Sequence, residues 1–318
     1  MTEYKVVDLF SGAGGLTYGF VQEKFKILFG VEHDEYAAKT YCANFNHPML
    51  NNDIRELDAD ELVIKYGPSD IVIGGPPCQG FSMAGKRDNK DPRNSLFMDY
   101  LKFVKAFKPK FFVMENVPGI LTMKTSEGGF VKDIIKEEVE KLGYSLKSKI
   151  LLAADYGVPQ KRRRVIFLGW RNDIPEPTYP EPTHSKDTHV CMGDVLLPRD
   201  EVPNKYYHSQ KMIDGFAKRK AVNEAKGRGF GAQIIKLDEP CYTISARYYK
   251  DGSDALVKYS DTEIRRLTEK EAARVQSFPD TFVFPVSGVQ TYKQIGNAVA
   301  CLLGRAIAKS LLSQLHLL

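Results

Sequence analysis

The stretch "DLFSGAGGLTYGF", residues 8–20, decides the fold of this 318-residue chain. An apolar run leads into it, glycines stand at Gly12, Gly14 and Gly15, and a helical pattern follows. A strand that passes through a glycine-rich turn into a helix lets the backbone approach a nucleotide-like ligand closely. A dinucleotide fingerprint would need a further glycine at position 17, which is Thr17. The stretch therefore predicts a strand–turn–helix unit with a ligand at the turn, and it argues against NAD.

The first half of the chain repeats this alternation. Apolar runs such as "KILFGVE" (26–32), "DIVIGG" (70–75) and "FFVMEN" (111–116) are separated by helical patterns, and "RVIFLGW" (164–170) is the last such run. Strands that alternate with helices are typical of an α/β fold with a doubly wound, mostly parallel sheet, whose ligands bind at the carboxyl ends of the strands. We therefore expect functional residues at those ends.

A proline-rich stretch, "RNDIPEPTYPEPTH" (171–184), ends this pattern. Four prolines break any regular element and predict a domain boundary near residue 172. The chain is then irregular to about residue 262, where helical periodicity resumes, and its apolar C-terminal stretch is expected to pack back on the first domain. The predicted segments are residues 1–171, a smaller irregular domain over 172–262, and a return segment over 263–318.

The composition indicates a globular protein: 43% of the residues are hydrophobic. No segment approaches the roughly 20 apolar residues that span a bilayer, and no signal peptide is recognisable, so we expect a cytoplasmic protein without membrane contact. The five cysteines are scattered and never form C-x-x-C, which predicts neither a disulfide framework nor a metal site. The net charge of +5 is mild, but basic residues gather at 161–164, 218–228 and 246–250, which indicates a basic face for a polyanion.

Acidic residues stand at predicted strand ends. Glu32 ends the second strand, at the spacing from which a carboxylate reaches ribose hydroxyls, and Asp53 follows the third. Glu115 comes directly after four apolar residues, so its carboxyl group is expected to be partly desolvated and able to hold or donate a proton. A tight turn with solvated or helix-capping acids is the simpler alternative for all three.

Cys78 has an unusual setting in "GGPPCQGFS" (74–82). Two prolines and two glycines stiffen the exit of the strand before it and hold the thiol at the functional edge of the sheet. A lone cysteine is more often an inert core residue. The stiff mount favours a nucleophile, which would need a positive neighbour or a helix N-terminus to ionise.

Three further sets of polar residues are candidates. Arg162 and Arg164 lie two apart at the start of a predicted strand, hence on one face, where two guanidinium groups can bind phosphate or a pyrimidine carbonyl, although such runs are usually solvated. Asn297 in "QIGNAVA" is placed at a helix start as an N-cap. The remaining set lacks metal-ligand spacing and is interpreted as loop residues: His184, His189 and Cys191.

Taken together, six motifs resemble, in order and spacing, those of the cytosine carbon-5 DNA methyltransferases of prokaryotic restriction-modification type: "DLFSGAGGLTYGF", "GGPPCQGFS", "MENVPG", "ADYGVPQKRRRVIFLG", "RRLTEKEAARVQSFPD" and "QIGNAVA". The resemblance implies a Rossmann-like methyltransferase that uses S-adenosylmethionine, releases S-adenosylhomocysteine and needs no metal. It also implies that residues 1–171 bind the cofactor and catalyse, that 172–262 recognise the DNA target, and that 263–318 return to the catalytic domain.

The resemblance also assigns roles to residues. Cys78 would add to carbon 6 of a cytosine flipped out of the duplex, Glu115 would hold a proton at nitrogen 3, and Arg162 and Arg164 would hold the pyrimidine carbonyl and the catalytic strand. The base that removes the carbon 5 proton is not identified. The implied cofactor contacts are Phe10, Ser11, Gly12, Ala13, Gly14, Gly15, Leu16, Glu32, His33, Asp53, Ile54, Pro76, Leu96 and Asn297. The implied DNA contacts are Gln79, Ser82, Lys86, Arg87, Arg228, Thr243 and Arg247.

Alternatives stay open beside this interpretation. The transfer-RNA cytosine methyltransferases share the motifs and carry a Cys-aromatic-Thr element, to which "CYT" (241–243) is similar. A nucleotide-dependent oxidoreductase with a redox cysteine and a DNA-binding module without activity are the other two. The expected partner is double-stranded DNA, with a restriction endonuclease acting separately, and we expect a nucleoid-associated monomer.

Overall fold

The computed structural model describes residues 3–77, 95–124, 128–225, 227 and 232–318. Seven strands form one sheet in the order β3-β2-β1-β4-β5-β7-β6. They are β1 Lys5–Leu9, β2 Lys26–Val31, β3 Met49–Leu50, β4 Ile71–Gly74, β5 Phe111–Asn116, β6 Tyr144–Leu152 and β7 Arg163–Arg171. The helices of the described residues are α1 Gly15–Gln22, α2 Glu35–Asn44, α3 Ala59–Tyr66, α4 Ser95–Phe107, α5 Val131–Lys141, α6 Gln210–Ala225, α7 Glu269–Val275, α8 Gly288–Asn297 and α9 Cys301–Leu315.

The pairing confirms the predicted fold class. β1 pairs in parallel with β2 and with β4, and β4 pairs in parallel with β5. β7 runs antiparallel to β5, so the sheet is mostly parallel. The strand order reverses between β1 and β4, which makes their carboxyl ends the switch point at which ligands bind in this class of fold.

Local sequence signals explain where the helices begin. Asp34 precedes α2 and accepts hydrogen bonds from the amides of Tyr36 and Ala37, both at 2.9 Å. Asp58 caps α3 in the same way. Thr268 and Glu271 form a reciprocal capping box at the start of α7. Short polar side chains at these positions satisfy amide groups that the first helical turn leaves unpaired.

Two elements of the sheet region were not predicted. They are the helix α3 and the strand β6, whose sequence is "YSLKSKILL". In β6, Lys149 is exposed and Lys147 is partly exposed. β6 forms one edge of the sheet, and lysines on an edge strand oppose pairing with other chains. Its polar residues hide the apolar run by which strands are recognised in a sequence.

The chain divides into two compact units. The first comprises Met1–Leu151, Arg163–Glu181 and Gly304–Leu318, and the second comprises Leu152–Arg162 and Pro182–Leu303. These units are defined by their spatial contacts and not by function. The three functional segments, residues 1–171, 172–262 and 263–318, therefore stay a prediction. Within the first unit, α9 approaches α1 at Gly304 and Arg305, which lie beside Leu16 and Gly19.

The second unit has a small core of its own. The strands β8 Leu256–Lys258 and β9 Ile264–Arg266 form an antiparallel pair. A fully buried ion pair joins Arg265 to Glu271, with both guanidinium–carboxylate contacts at 2.8 Å. The same carboxylate accepts the amide of Leu197, so one charged pair holds three segments of this unit.

We expected no segment long and apolar enough to cross a membrane, but the stretch Gly288–Leu315 is an exception. Within the described residues this stretch satisfies that test by length and composition. It consists of α8 and α9 with a break at residues 298–300, and more than half of it is buried inside the molecule. Buried core helices pass the same test, so the stretch does not indicate a membrane span.

The contact between α1 and α9 predicts a stability effect. A Cβ atom on Gly19 would lie 2.2 Å from the backbone nitrogen of Arg305, and backbone cannot move aside cheaply. Gly19→Ala should therefore lower the free energy of unfolding by about 1–3 kcal/mol or more in urea titrations. Gly119→Ala is the matched control, since nothing lies within 4 Å of its Cβ position. Equal destabilisation by both substitutions would contradict the close packing of α1 on α9.

Candidate active site

The glycine-rich turn after β1 is built from left-handed backbone. Phe10, Gly12 and Gly14 have φ values of 56°, 56° and 94°. Such a conformation is strained for phenylalanine and natural for glycine. The turn is held in place by the Ser11 amide, which donates to the Val31 carbonyl at 3.0 Å. Backbone strain that the surroundings hold in place is common at functional sites.

The rest of the turn leads into α1. The N-cap residue of α1 is Gly14, whose amide donates to the Ser11 carbonyl at 3.0 Å, and Gly15 is the first residue of the helix. Ala13 and Leu16 are buried. A Cβ atom on Gly14 would lie 2.3 Å from the Phe45 ring, so this position accepts only glycine.

Glu32, directly after β2, fastens the turn from the neighbouring strand. One carboxylate oxygen accepts the Gly12 amide at 2.7 Å and the other accepts the Asp34 amide at 2.8 Å. Burial raises the pKa of Glu32, and the two amides oppose that rise. Each oxygen keeps a lone pair, so the carboxylate can still accept hydrogen bonds from a ligand.

The rim of the site beyond β3 combines a carboxylate with apolar side chains. Asp53 caps a 3₁₀ turn and is paired with Arg55, whose hydrogen bonds lower the pKa of Asp53 to about 2. Ile54 is buried in the apolar cluster to which Phe10 and Leu96 are packed. The predicted cofactor residue His33 is exposed at the surface.

Glu115 and Arg164 meet at the end of β5. The Arg164 Nε lies 2.6 Å from Glu115 Oε1, and both side chains are largely buried. The antiparallel register, in which Glu115 lies opposite Ile166, brings Arg164 to this point. The other carboxylate oxygen of Glu115 would lie 3.3 Å from a Cβ atom on Gly75, so it faces the backbone that leaves β4.

The backbone after β4 is tied to the same strand end. The Asn116 side-chain amide donates to the carbonyl of Pro76, a buried residue, at 2.9 Å. A Cβ atom on Gly74 would lie 2.3 Å from the Leu9 carbonyl oxygen, so glycine is required where β1 and β4 come together. Cys78 follows two residues after Pro76. It lies outside the described residues, as do the predicted DNA contacts Gln79, Ser82, Lys86, Arg87 and Arg228.

Arg162 belongs to the second unit and precedes β7. Its side chain is buried, and its guanidinium donates to the carbonyls of Ile244 at 3.2 Å and Gly296 at 2.9 Å. Arg162 directly precedes β7, which begins at Arg163, and its guanidinium has other partners than that of Arg164, so the shared strand face stays a prediction. In this structure Arg162 holds loop and helix backbone together.

The other predicted residues of the second unit have separate settings. Asn297 is exposed and ends α8 rather than starting a helix, so its interpretation as an N-cap is wrong. The Thr243 hydroxyl donates to the Lys161 carbonyl at 3.1 Å. Arg247 is exposed. His189 contacts Asp155 at 2.9 Å within the loops.

Sequence reasoning missed three buried polar residues. Asp8 lies in β1, which leads into the glycine-rich turn. It could have been recognised in the sequence as a carboxylate inside the apolar run "VVDLF". Gln160 and Gln276 hydrogen-bond each other and the backbone around Arg162. Two isolated glutamines carry no sequence signal, since their partners lie far away in the chain.

Comparison with known proteins identifies the family. The model of the C-5 cytosine-specific DNA methylases matches residues 4–313. The chain belongs to this family. It is 39% identical over 318 residues to the Type II methyltransferase M1.ScrFI of Lactococcus lactis subsp. cremoris. This alignment covers 99% of the present chain and 79% of M1.ScrFI. The chain is 36% identical to the Type II methyltransferase M.DdeI of Desulfomicrobium norvegicum, which covers 96% and 87%.

A solved structure supports the same fold. The S. pombe Dnmt2 methyltransferase superposes with a TM-score of 0.79 at 20% identity, over 98% of this chain and 99% of that one. The predicted fold and the assignment as a DNA cytosine methyltransferase are thus confirmed. Dependence on S-adenosylmethionine follows from membership of this family.

The turn has the features that this cofactor requires. Nothing lies within 4 Å of the position of a Cβ atom on Gly12, so bare backbone faces open space. The Glu32 carboxylate accepts the Gly12 amide, and the partly buried apolar side chains of Phe10 and Leu96 pack against the core cluster that contains Ile54. A carboxylate suits ribose hydroxyls and an apolar rim suits a purine. The residues present therefore fit the cofactor.

Glu32→Gln tests this fit. The amide oxygen can still accept the Gly12 amide, whereas the hydrogen bond from the Asp34 amide and the charged acceptor for a ribose hydroxyl are lost. We expect the affinity for S-adenosylmethionine to fall about tenfold in isothermal titration calorimetry, because hydrogen bonds to charged groups are about 1–2 kcal/mol stronger. Glu35→Gln is the control, since Glu35 is exposed in the first turn of α2. An unchanged affinity in Glu32→Gln would contradict the assigned contact.

Proposed function

We propose that this DNA methyltransferase transfers a methyl group from S-adenosylmethionine to carbon 5 of a cytosine flipped out of a specific duplex site, through a covalent adduct with Cys78. The observation that supports this proposal most is the contact between Glu115 and Arg164, which lies beside the backbone leading to Cys78. A fixed carboxyl group beside the backbone that leaves β4 suits protonation of a pyrimidine ring to which a thiolate adds.

The chemistry assigns each group a task. The Cys78 thiolate adds to carbon 6, which moves electron density toward nitrogen 3 and makes carbon 5 nucleophilic. Glu115 holds a proton at nitrogen 3, and Arg164 fixes the carboxyl group through Oε1. The cofactor supplies an electrophilic methyl group. Loss of the carbon 5 proton then expels the thiolate and restores the ring.

The remaining contacts of the proposal concern the cofactor and the DNA. The turn from Phe10 to Leu16 would hold the cofactor together with Glu32, Asp53, Ile54 and Leu96. The assignments of His33, Pro76 and Asn297 rest on the family resemblance. Residues 172–262 would recognise the DNA target, with the exposed Arg247 at a phosphate. We also propose that the enzyme acts in the cytoplasm as a monomer beside a separate endonuclease.

The Cys-Tyr-Thr element does not favour a transfer-RNA substrate. Cys241 is 1% exposed, and burial raises the pKa of its thiol to about 12. A thiol held in this form is a poor nucleophile. The Thr243 hydroxyl donates a hydrogen bond to the Lys161 carbonyl within the same unit. Both residues therefore have structural explanations.

Replacement of Cys78 tests the mechanism and the substrate together. With labelled S-adenosylmethionine, the protein should methylate unmodified duplex DNA, and Cys78→Ala should abolish the transfer because no adduct forms. Cys241→Ala is the matched control, since its buried thiol takes no part, and it should retain most of the activity. Label found only in transfer RNA would refute the DNA substrate, and full activity in Cys78→Ala would refute the adduct.

Arg164→Lys tests the role of the contact with Glu115. Lysine keeps the charge but lacks the planar guanidinium that fixes the carboxyl group. We expect kcat to fall about 10- to 100-fold, less than the roughly 10²- to 10⁴-fold contribution of an acid–base group because Glu115 itself is kept, with KM for DNA nearly unchanged. Arg163→Lys is the control, because Arg163 is exposed on the same strand. Equal effects of both substitutions would show that general positive charge matters rather than the contact with Glu115.

A further inference from the structure

Asp8 is a buried carboxyl group that the proposed mechanism does not use. It lies in β1, two residues before the glycine-rich turn begins at Phe10, and it is 1% exposed. Its side chain accepts a hydrogen bond from the Thr17 hydroxyl in α1. Its backbone carbonyl accepts the Ser11 hydroxyl at 3.0 Å. Asp8 is therefore bound to both ends of the turn.

A chain of hydrogen bonds leads from Asp8 toward the surface. The Thr17 hydroxyl lies 3.3 Å from the Tyr41 hydroxyl, and the latter lies 2.7 Å from His47 Nε2. Asp8, Thr17 and Tyr41 are buried, whereas His47 is partly exposed. Burial lowers the pKa of His47 to about 4, so its imidazole is neutral at pH 7. The chain can pass a proton between Asp8 and solvent.

The other titratable groups that face Asp8 do not neutralise it. Glu32 of the neighbouring strand carries the same sign of charge and disfavours a second negative charge. Tyr41 of α2 and Tyr100 of α4 stay protonated, because burial and Asp8 raise their pKa values. The Tyr100 hydroxyl lies 3.0 Å from the carbonyls of Val72 and Val113. None of the described groups that act on Asp8 is a cation.

We propose that Asp8 senses the charge of the cofactor: it releases a proton through Thr17, Tyr41 and His47 when the sulfonium compound binds at the turn, and it is reprotonated when the neutral thioether product remains. This inference rests on the proposed function, since it requires the cofactor at the turn. The consequence is that ionised Asp8 adds to the affinity for S-adenosylmethionine a contribution that the affinity for S-adenosylhomocysteine lacks. Asp8 is thus a specificity-determining residue acting through its charge.

Electrostatics and linkage give the reason. Burial raises the pKa of Asp8 to about 7, so both protonation states are populated near neutral pH. A ligand with an added positive charge favours the ionised form in a medium of low dielectric constant, and the ionised form must then bind that ligand more tightly. The neutral product exerts no such bias. As pH rises through about 7, affinity for the sulfonium compound should rise while affinity for the product stays level.

The test is isothermal titration calorimetry of the whole chain in buffers of different ionisation enthalpy. At pH 7 we expect release of about half a proton per S-adenosylmethionine bound, because about half of Asp8 is protonated there, and none per S-adenosylhomocysteine. Between pH 6 and 7.5 the affinity for S-adenosylmethionine should rise about fivefold or more. Asp8→Asn should abolish both the proton release and the pH dependence, and Asp60→Asn, an exposed acid of α3, should change neither.

The outcomes separate the two proposals. Binding of S-adenosylmethionine without proton release, or equal release with both ligands, overturns the role of Asp8 and leaves the methyltransferase proposal intact. Failure of the wild-type protein to bind S-adenosylmethionine at all overturns the proposed function. Where Asp8→Asn does not fold, Glu32→Gln decides, because the pKa of Glu32 is also raised: proton release that persists in this variant supports Asp8 as the source, and release that disappears overturns its role.

Discussion

The close approach of β1 and β4 at the reversal of strand order is the constraint on which the candidate site depends. Leu9 is paired with Gly74, and a Cβ atom on Gly74 would lie 2.3 Å from the Leu9 carbonyl oxygen. Two segments therefore leave the sheet side by side. One is the glycine-rich turn that suits the cofactor, and the other runs toward Cys78. The next strand, β5, adds Glu115, so three neighbouring strand ends supply the chemistry.

The strand ends were predictable from sequence because their signals are local. Apolar runs, glycines and prolines mark where a strand stops, and parallel strands stop at one edge, so Glu32 and Glu115 were placed at that edge. The partner of Glu115 was not predictable. It depends on β7 lying antiparallel to β5 in one register, which brings Arg164 to the carboxylate across nearly 50 residues of sequence. The edge strand β6 was missed because its lysines interrupt the apolar pattern.

The run "KRRR" shows why charge alone predicts little about a residue's role. Arg162 is buried and binds carbonyls 82 and 134 residues away in sequence, Arg163 is exposed, and Arg164 is paired with Glu115. A guanidinium group can satisfy buried carbonyls because it carries five donors in a fixed plane. The partners of Arg162 come together only in the folded chain. A sequence pattern therefore gives the group but not its neighbours.

Asp8 poses the opposite problem, because its neighbours explain its position but not its charge. Thr17 needs an acceptor at this point in β1, and an asparagine oxygen would accept the same hydrogen bond. An aspartate there adds a desolvation penalty whenever it ionises, which is why burial raises its pKa to about 7. By linkage the folded state is most stable with Asp8 protonated, and this stability is lost as pH rises from about 4 to about 7. A residue kept solely to hold Thr17 would avoid this loss, so the ionisable group itself has to be explained by function.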